Sequence, residues 1–376
     1  MGNKSQIKID YDRSIVSVSS SLLKHFNVEN SYKTLPELDT ILSRNYQNVA
    51  LIIIDGMGTE IIKQHLSENS FLRRHIVTNI SSVFPPTTTA ATTAYHSGLP
   101  PISSGWLGWM NYYPQYDKII ETFRNTEFYN GKPITEPAPS ETLINYETIY
   151  SKIQKANPQV EYHRIFPAFE KNGCQSFEEE CGRLVFNQQS SHSKKIISMY
   201  WPEPDHSMHI YGGDSSEVHQ IMININQALE NIAQKLKNTV LIISADHGLT
   251  NIENVLLNEY PDLCEMFLRP PCLEARFLTF FIKPEYCDSF PRVFEKYFAE
   301  DFVLYEKDEF LKAGILGEGK QHPLVDGFLG DFIAIGIGKR SLQYTTGERE
   351  PKKFKADHAG FSIAEMTIPL IVYQSK

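Results

Sequence analysis

The chain has 376 residues with 41% hydrophobic and 22% charged side chains, ordinary globular usage that excludes disorder, collagen-like repeats and coiled coil. Its 36 lysines and arginines face 45 aspartates and glutamates, and a net charge of −9 with no Lys/Arg cluster argues against binding duplex nucleic acid, where phosphate neutralisation dominates affinity. No apolar run reaches the roughly 18 residues of a membrane-spanning helix.

In chain order, Met1 to Gln6 opens a polar segment with no apolar signal core, and Gln6 stands where myristoylation wants Ser or Thr. Val49 to Ile54 is apolar at every position, as a central strand of a parallel sheet requires, and it stops at Asp55. Thr59 to His65 then reads as a helix. Thr87 to Tyr95 follows Pro85-Pro86 and ends before Gly98, the grammar of a short helix with proline at its entrance and glycine at its exit. Ile196 to Tyr200 and Val240 to Ala245 repeat the first pattern, ending at Asp205 and at Asp246-His247. Helices are expected over Glu217 to Lys235 and Ser289 to Phe298, and late strands over Ile333 to Ile337 and Ile368 to Tyr373. Two irregular stretches, about 106–190 and 251–342, read as insertions on one α/β domain spanning 1–376, where they build a cap or substrate-pocket elements. Five cysteines (Cys174, Cys181, Cys264, Cys272, Cys287) show no C-x-x-C spacing and read as reduced packing cysteines of a cytoplasmic protein without membrane contact.

Ligands of open α/β sheets sit outside the carboxyl ends of the strands, so three strands that each finish in an aspartate gather three carboxylates at one edge. Asp205 and His209 are four apart and face the same way on a helical turn. His206 is the rival to His209. Asp246 and His247 are adjacent, and His358 follows late in Asp357-His358-Ala359-Gly360. With Asp55 they form a set of oxygen and nitrogen donors without thiolate, suited to hard or borderline divalent metals.

Phe84-Pro85 stands four and three residues before Thr88, and Gly98-Leu99 ten and eleven after it. This resembles the alkaline phosphatase superfamily, most closely its nucleotide pyrophosphatase/phosphodiesterase branch. The order of a strand-ending Asp55, of Asp205 with His209 and Gly212, of Asp246-His247-Gly248, and of His358 with Gly360 matches that family's pattern. The resemblance implies a mainly parallel central sheet with helices on both faces, alkaline-phosphatase-like, carrying an inserted cap. It also implies Thr88 as nucleophile, with Thr89 as the fallback. One metal would be held by Asp205, His209 and His358, and a second by Asp55, Asp246, His247 and Thr88. Zinc is the expected metal at both positions, with manganese also suitable.

The family's phenylalanine after the nucleophile and its Pro-Asn-His are replaced here by Thr89-Ala90-Ala91-Thr92. Its phosphate-contacting asparagine aligns at Trp109, which leaves Asn111 as the substitute. Trp106 and Trp109 are candidates for a stacking wall. Asp55-Gly56-Met57-Gly58 imitates a dinucleotide fingerprint, but Ile61 occupies the third glycine position. The expected function is hydrolysis of a phosphodiester or pyrophosphate bond in a small phosphorylated substrate such as a nucleotide. A phosphomonoesterase or phosphonate hydrolase using the same site is the alternative, and a metal-binding protein without catalysis is disfavoured because every matched group is present.

Overall fold

The computed structural model describes residues 7–375, so the reading of Met1 to Gln6 lies outside the described residues. Among these residues the main sheet has six strands: β1 (Asn48–Ile54), β2 (Ile76–Ser81), β3 (Glu161–Ile165), β4 (Lys195–Trp201), β5 (Thr239–Ser244) and β6 (Thr367–Gln374), in the spatial order β2-β6-β5-β1-β4-β3. β3, β4, β1 and β5 run parallel, with Asn48 opposite both Lys195 and Thr239. β6 is antiparallel to its two neighbours, β5 and β2. The sheet is therefore mainly parallel, and its three central strands are those whose apolar runs end in acids. All seven residues of β1 are buried, which requires cover on both faces.

Two groups of helices supply that cover. In one, α1 (Ile15–His25) packs on α3 (Thr88–Ser97). In the other, α5 (Ser216–Ala233) packs on α2 (Thr59–His65) and α4 (Phe177–Gln189). The sequence reading misses α1, whose Ser17-Val18-Ser19-Ser20-Ser21 run looks polar. Its serines are buried, and several satisfy their hydroxyls on backbone carbonyls, Ser19 on Tyr95 O at 2.8 Å and Ser17 on Asp12 O at 2.9 Å.

A second sheet of seven antiparallel strands is built from 110–127 and 272–336, in the order Phe302–Glu306, Phe332–Gly336, Phe277–Phe280, Cys272–Leu273, Met110–Tyr113, Lys118–Glu121 and Thr126–Glu127. It has hydrophobic clusters of its own, one gathering Phe84, Trp106, Tyr113 and Phe277, the other Phe280, Phe290, Phe294, Phe298 and Phe302. The last part of the first irregular stretch, 161–189, belongs instead to the main sheet as β3 and α4. Ile333 to Ile337 likewise lies in the second sheet. All five cysteines are free, and no helix among the described residues is long and apolar enough to cross a membrane.

On the inward face of α4, Glu180 is fully buried beside Phe177, Cys181 and Leu184, and neither carboxyl oxygen has a partner. Burial pushes its carboxyl up from 4.5 to about 8. The folded state thus holds a proton that the unfolded chain releases, and this group's contribution to stability falls as pH rises from about 4.5 to about 8. Glu180→Gln, which cannot ionise, should remove that part of the slope, so that its stability relative to the parent is higher at pH 8 than at pH 5. Thermal denaturation at pH 5 and pH 8 checks this, and an equal gain at both values would refute it.

Candidate active site

Asp55, Asp205 and Asp246 lie just beyond the ends of β1, β4 and β5, three adjacent strands, so the sheet itself brings them together. Burial pushes the Asp205 and Asp246 carboxyls up to about 6, and Asp55 is raised by burial and then by the charges of Asp246 and Asp205. No lysine or arginine among the described residues pairs with any of the three, and Asp55 Oδ1, Asp205 Oδ1 and Asp246 Oδ2 have no hydrogen-bond donor.

These orphaned oxygens face imidazoles. His247 Nε2 is 3.4 Å from Asp55 Oδ1 and 3.5 Å from Asp246 Oδ2. His209 Nε2 is 3.4 Å and His358 Nε2 3.8 Å from Asp205 Oδ1. Desolvation drives the His247 imidazole down to about 3 and the His358 imidazole well below its ordinary value. Neutral rings cannot neutralise the carboxylates, but they offer lone pairs. His209 turns Nδ1 to Ala356 O at 2.8 Å and His247 turns Nδ1 to Gly248 O at 3.2 Å, contacts that point each Nε2 inward, as for metal-bound histidines. Asp55, Asp246 and His247 form one group able to hold a cation, and Asp205 with His247 and His358 another. The His247 and His358 rings stack at 4.0 Å, so the groups are contiguous. The donor set and the unmet negative charge both fit divalent metal.

Thr88 opens α3. Its Oγ1 is 3.3 Å from Asp55 Oδ2 and 3.3 Å from His247 Nε2. No side chain caps α3, which leaves its first backbone N–H groups available to an anion. Thr89 faces the other way and is fully buried. His206, the rival to His209, is not in any of the three clusters of potential ligands.

Several partners escape the sequence reading. Tyr200, at the end of β4, donates its hydroxyl to Asp55 Oδ2. Asp357 joins His209 and His358 in a third cluster, while accepting from Ser341 Oγ at 2.7 Å. Its signal was present, since Asp357-His358 repeats the Asp246-His247 pair. Glu274, from the second sheet, receives both Thr87 Oγ1 at 2.8 Å and the Trp109 N–H at 2.6 Å on one oxygen.

Two of the candidate substrate-binding residues lie in the interior. Trp106 is 3% exposed and donates its indole N–H to Ile144 O at 2.9 Å, so it is core and no open stacking wall. Asn111 is fully buried and spends its amide on Gly108 O and Thr122 Oγ1, a packing role away from solvent. Trp109 remains half-buried at the edge of the site.

The type I phosphodiesterase/nucleotide pyrophosphatase family model matches residues 49–358, a span that contains all of these groups. The chain belongs to that family. The bis(5'-adenosyl)-triphosphatase ENPP4 of Pongo abelii is 32% identical over 87 residues, 21% of this chain and 19% of the relative, so the match spans about a fifth of that protein. Human ectonucleotide pyrophosphatase/phosphodiesterase 5 superposes with a TM-score of 0.65 at 15% identity over 86% of this chain and 87% of its own. The murine protein, in an inactive threonine-to-alanine variant solved in complex with AMP, gives 0.63 at 14% identity over the same shares. These likenesses establish the fold.

The imitation of a dinucleotide fingerprint has a different cause here. Gly56 has φ +72°, its N–H donates to Asp246 Oδ1 at 3.1 Å, and a Cβ there would stand 2.9 Å from the Asp205 Cα. A Cβ on Gly58 would meet the Gly248 Cα at 2.7 Å. The glycines let the loops carrying the three acids touch. Gly56→Ala should cost about 1–3 kcal/mol through the strained backbone and displaced Asp205, and weaken divalent-metal binding with it. Thermal denaturation and metal titration check this, and a variant matching the parent in both would contradict the packing argument.

Proposed function

We propose that this chain is a two-metal hydrolase that cleaves phosphodiester or pyrophosphate bonds, in nucleotides among other small substrates, through Thr88. The observation that carries the reading is the Thr88 hydroxyl poised at an uncapped helix N-terminus against the Asp55, Asp246 and His247 group. One ion would be held by Asp55, Asp246, His247 and Thr88, the other by Asp205, His209 and His358, with zinc the preferred metal and manganese also compatible. When bound, two such ions make the hydroxyl more acidic and offset phosphate charge.

The remaining steps belong to the chain. The α3 N–H groups hold the non-bridging oxygens. The Thr88 oxygen attacks phosphorus in line with the leaving group, forming a phosphothreonine as the leaving group departs, and water then displaces Thr88. Tyr200 fixes Asp55 by donating to Oδ2, which leaves Oδ1 directed inward. Two relatives lend support: the murine neighbour is described as inactive with a threonine changed to alanine and bound to AMP, and the Pongo abelii protein is named for hydrolysis of bis(5'-adenosyl) triphosphate.

Thr88→Ala should abolish turnover while elemental analysis still finds two divalent ions per chain. Thr89→Val should remain active, because Thr89 Oγ1 is buried and has no hydrogen-bond partner among the described residues. The reverse pattern would move the nucleophile by one residue.

The charged side chains favour a diester over a monoester. Lys118 is engaged by Glu136 and Glu127, Arg164 by Glu170, and Arg276 by Glu365 in a fully buried pair, so none of these cations is free for the second charge of a monoester. A nitrophenyl diester should therefore exceed the matching monoester in kcat/KM by tenfold or more. A monoester advantage of tenfold, about 1.4 kcal/mol in transition-state binding, would assign the phosphomonoesterase reading instead.

A further inference from the structure

Thr87 immediately precedes α3 and has the extended backbone of a helix cap, with φ −137° and ψ 148°. Threonine favours this position because its hydroxyl oxygen accepts one of the free N–H groups of the first turn. Here that bond is not made. The Thr87 side chain is turned to the second sheet, where it donates to Glu274 Oε1 at 2.8 Å. The residue is 1% exposed, so its hydroxyl is cut off from bulk water and depends on the protein for a partner.

Glu274 owes its place to contacts among distant segments. It follows Leu273 at the tip of a hairpin, and Leu273 pairs with Leu278 on one side and with Met110 on the other. Leu273 is fully buried at φ +85°, a left-handed backbone that a bulky side chain rarely adopts. The Glu274 N–H donates to Phe277 O at 2.9 Å. Gly108 packs against the same point, since a Cβ there would stand 3.0 Å from the Leu273 carbonyl oxygen. The next residue, Trp109, donates its N–H to the Glu274 oxygen that Thr87 also uses, at 2.6 Å. Backbone strain of this kind persists only where neighbours over-determine it, and it gathers at functional sites. Its product here is an acceptor aimed at the entrance of the helix that carries Thr88.

We infer that Glu274 is a positioning residue: by engaging the Thr87 hydroxyl it keeps α3 uncapped, so that the N–H groups of the first turn stay open to the non-bridging oxygens of a phosphate. This rests on the reading of that helix end as the phosphate-holding part of a hydrolase. At a capped helix, phosphate would first have to displace the threonine oxygen, and its affinity would fall by the strength of the cap lost.

The test is calorimetric titration of the metal-replete protein with inorganic phosphate, with kcat/KM for a nitrophenyl diester measured alongside. Glu274→Met keeps the side-chain length but offers no oxygen, which frees Thr87 to turn onto its own helix. It should weaken phosphate binding by about fivefold or more, the range of a threonine cap. Adding Thr87→Val removes the capping oxygen and should return the affinity to within about twofold of the parent. The conservative Glu274→Gln, whose amide oxygen still accepts both donors, should also stay within about twofold. If Glu274→Met does not fold, Glu274→Asp, which withdraws the oxygen by one methylene, gives the same contrast with and without Thr87→Val. Parent-like affinity in the variant that loses the oxygen overturns the inference. So does a loss that Thr87→Val fails to restore, which is what a merely structural role would give. Diester turnover should follow the phosphate affinities across the series. Because binding is read without turnover, the predicted pattern of affinities in a protein that cleaves no diester would count against the hydrolase reading alone.

Discussion

Three aspartates at the ends of three neighbouring parallel strands, Asp55 and Asp246 buried and Asp205 partly so, set the terms for the rest of this molecule. Parallel pairing of β4, β1 and β5 in one register places Asp55, Asp205 and Asp246 at the same edge, and burial makes each carboxylate costly. Among the described residues no lysine or arginine pairs with any of the three, so their mutual repulsion is left unmet. The neutral imidazoles, the phenol of Tyr200 and the glycine loops that bring the acids into contact all make sense as parts of a receptacle for positive charge.

That arrangement also explains how the chain, acidic overall, can be suited to an anionic substrate. Net charge acts at long range and is screened within about 10 Å at moderate salt. Recognition of phosphate depends on the local field instead. In this chain the features able to set such a field are the uncapped α3 terminus and the donor groups that fit divalent metal.

Much of the main sheet was legible because its strands are apolar on both faces and stop at acids. The run from Val49 to Asp55 shows both properties within seven residues. The proposed ligands could be found for the same reason, as each stands near a strand end or beside glycine. Apart from the strand read at Ile333 to Ile337, the second sheet was not legible, because its strands are as short as two residues and derive their pairing from partners far along the chain, such as Leu273 with Met110. Tyr200 and Glu274 were missed for a related reason: their roles are fixed by hydrogen bonds to Asp55 and Thr87 that no local spacing encodes. Trp106 was suggested by its proximity in sequence to Thr88 and Asn111 by the resemblance, and tertiary packing draws both into the interior.

The placement of β6 within the sheet has a consequence for biosynthesis. This strand separates β2 from β5, so the sheet cannot close until Thr367–Gln374 has emerged and been inserted between them. His358 precedes it only slightly, whereas Asp55 directly follows β1. Until β6 has emerged, a nascent chain therefore carries exposed sheet edges, a state prone to wrong pairing. Because closure depends on contacts between distant parts of the chain, folding should be slow for the size of the protein, and the chemistry becomes possible only with the last strand in place.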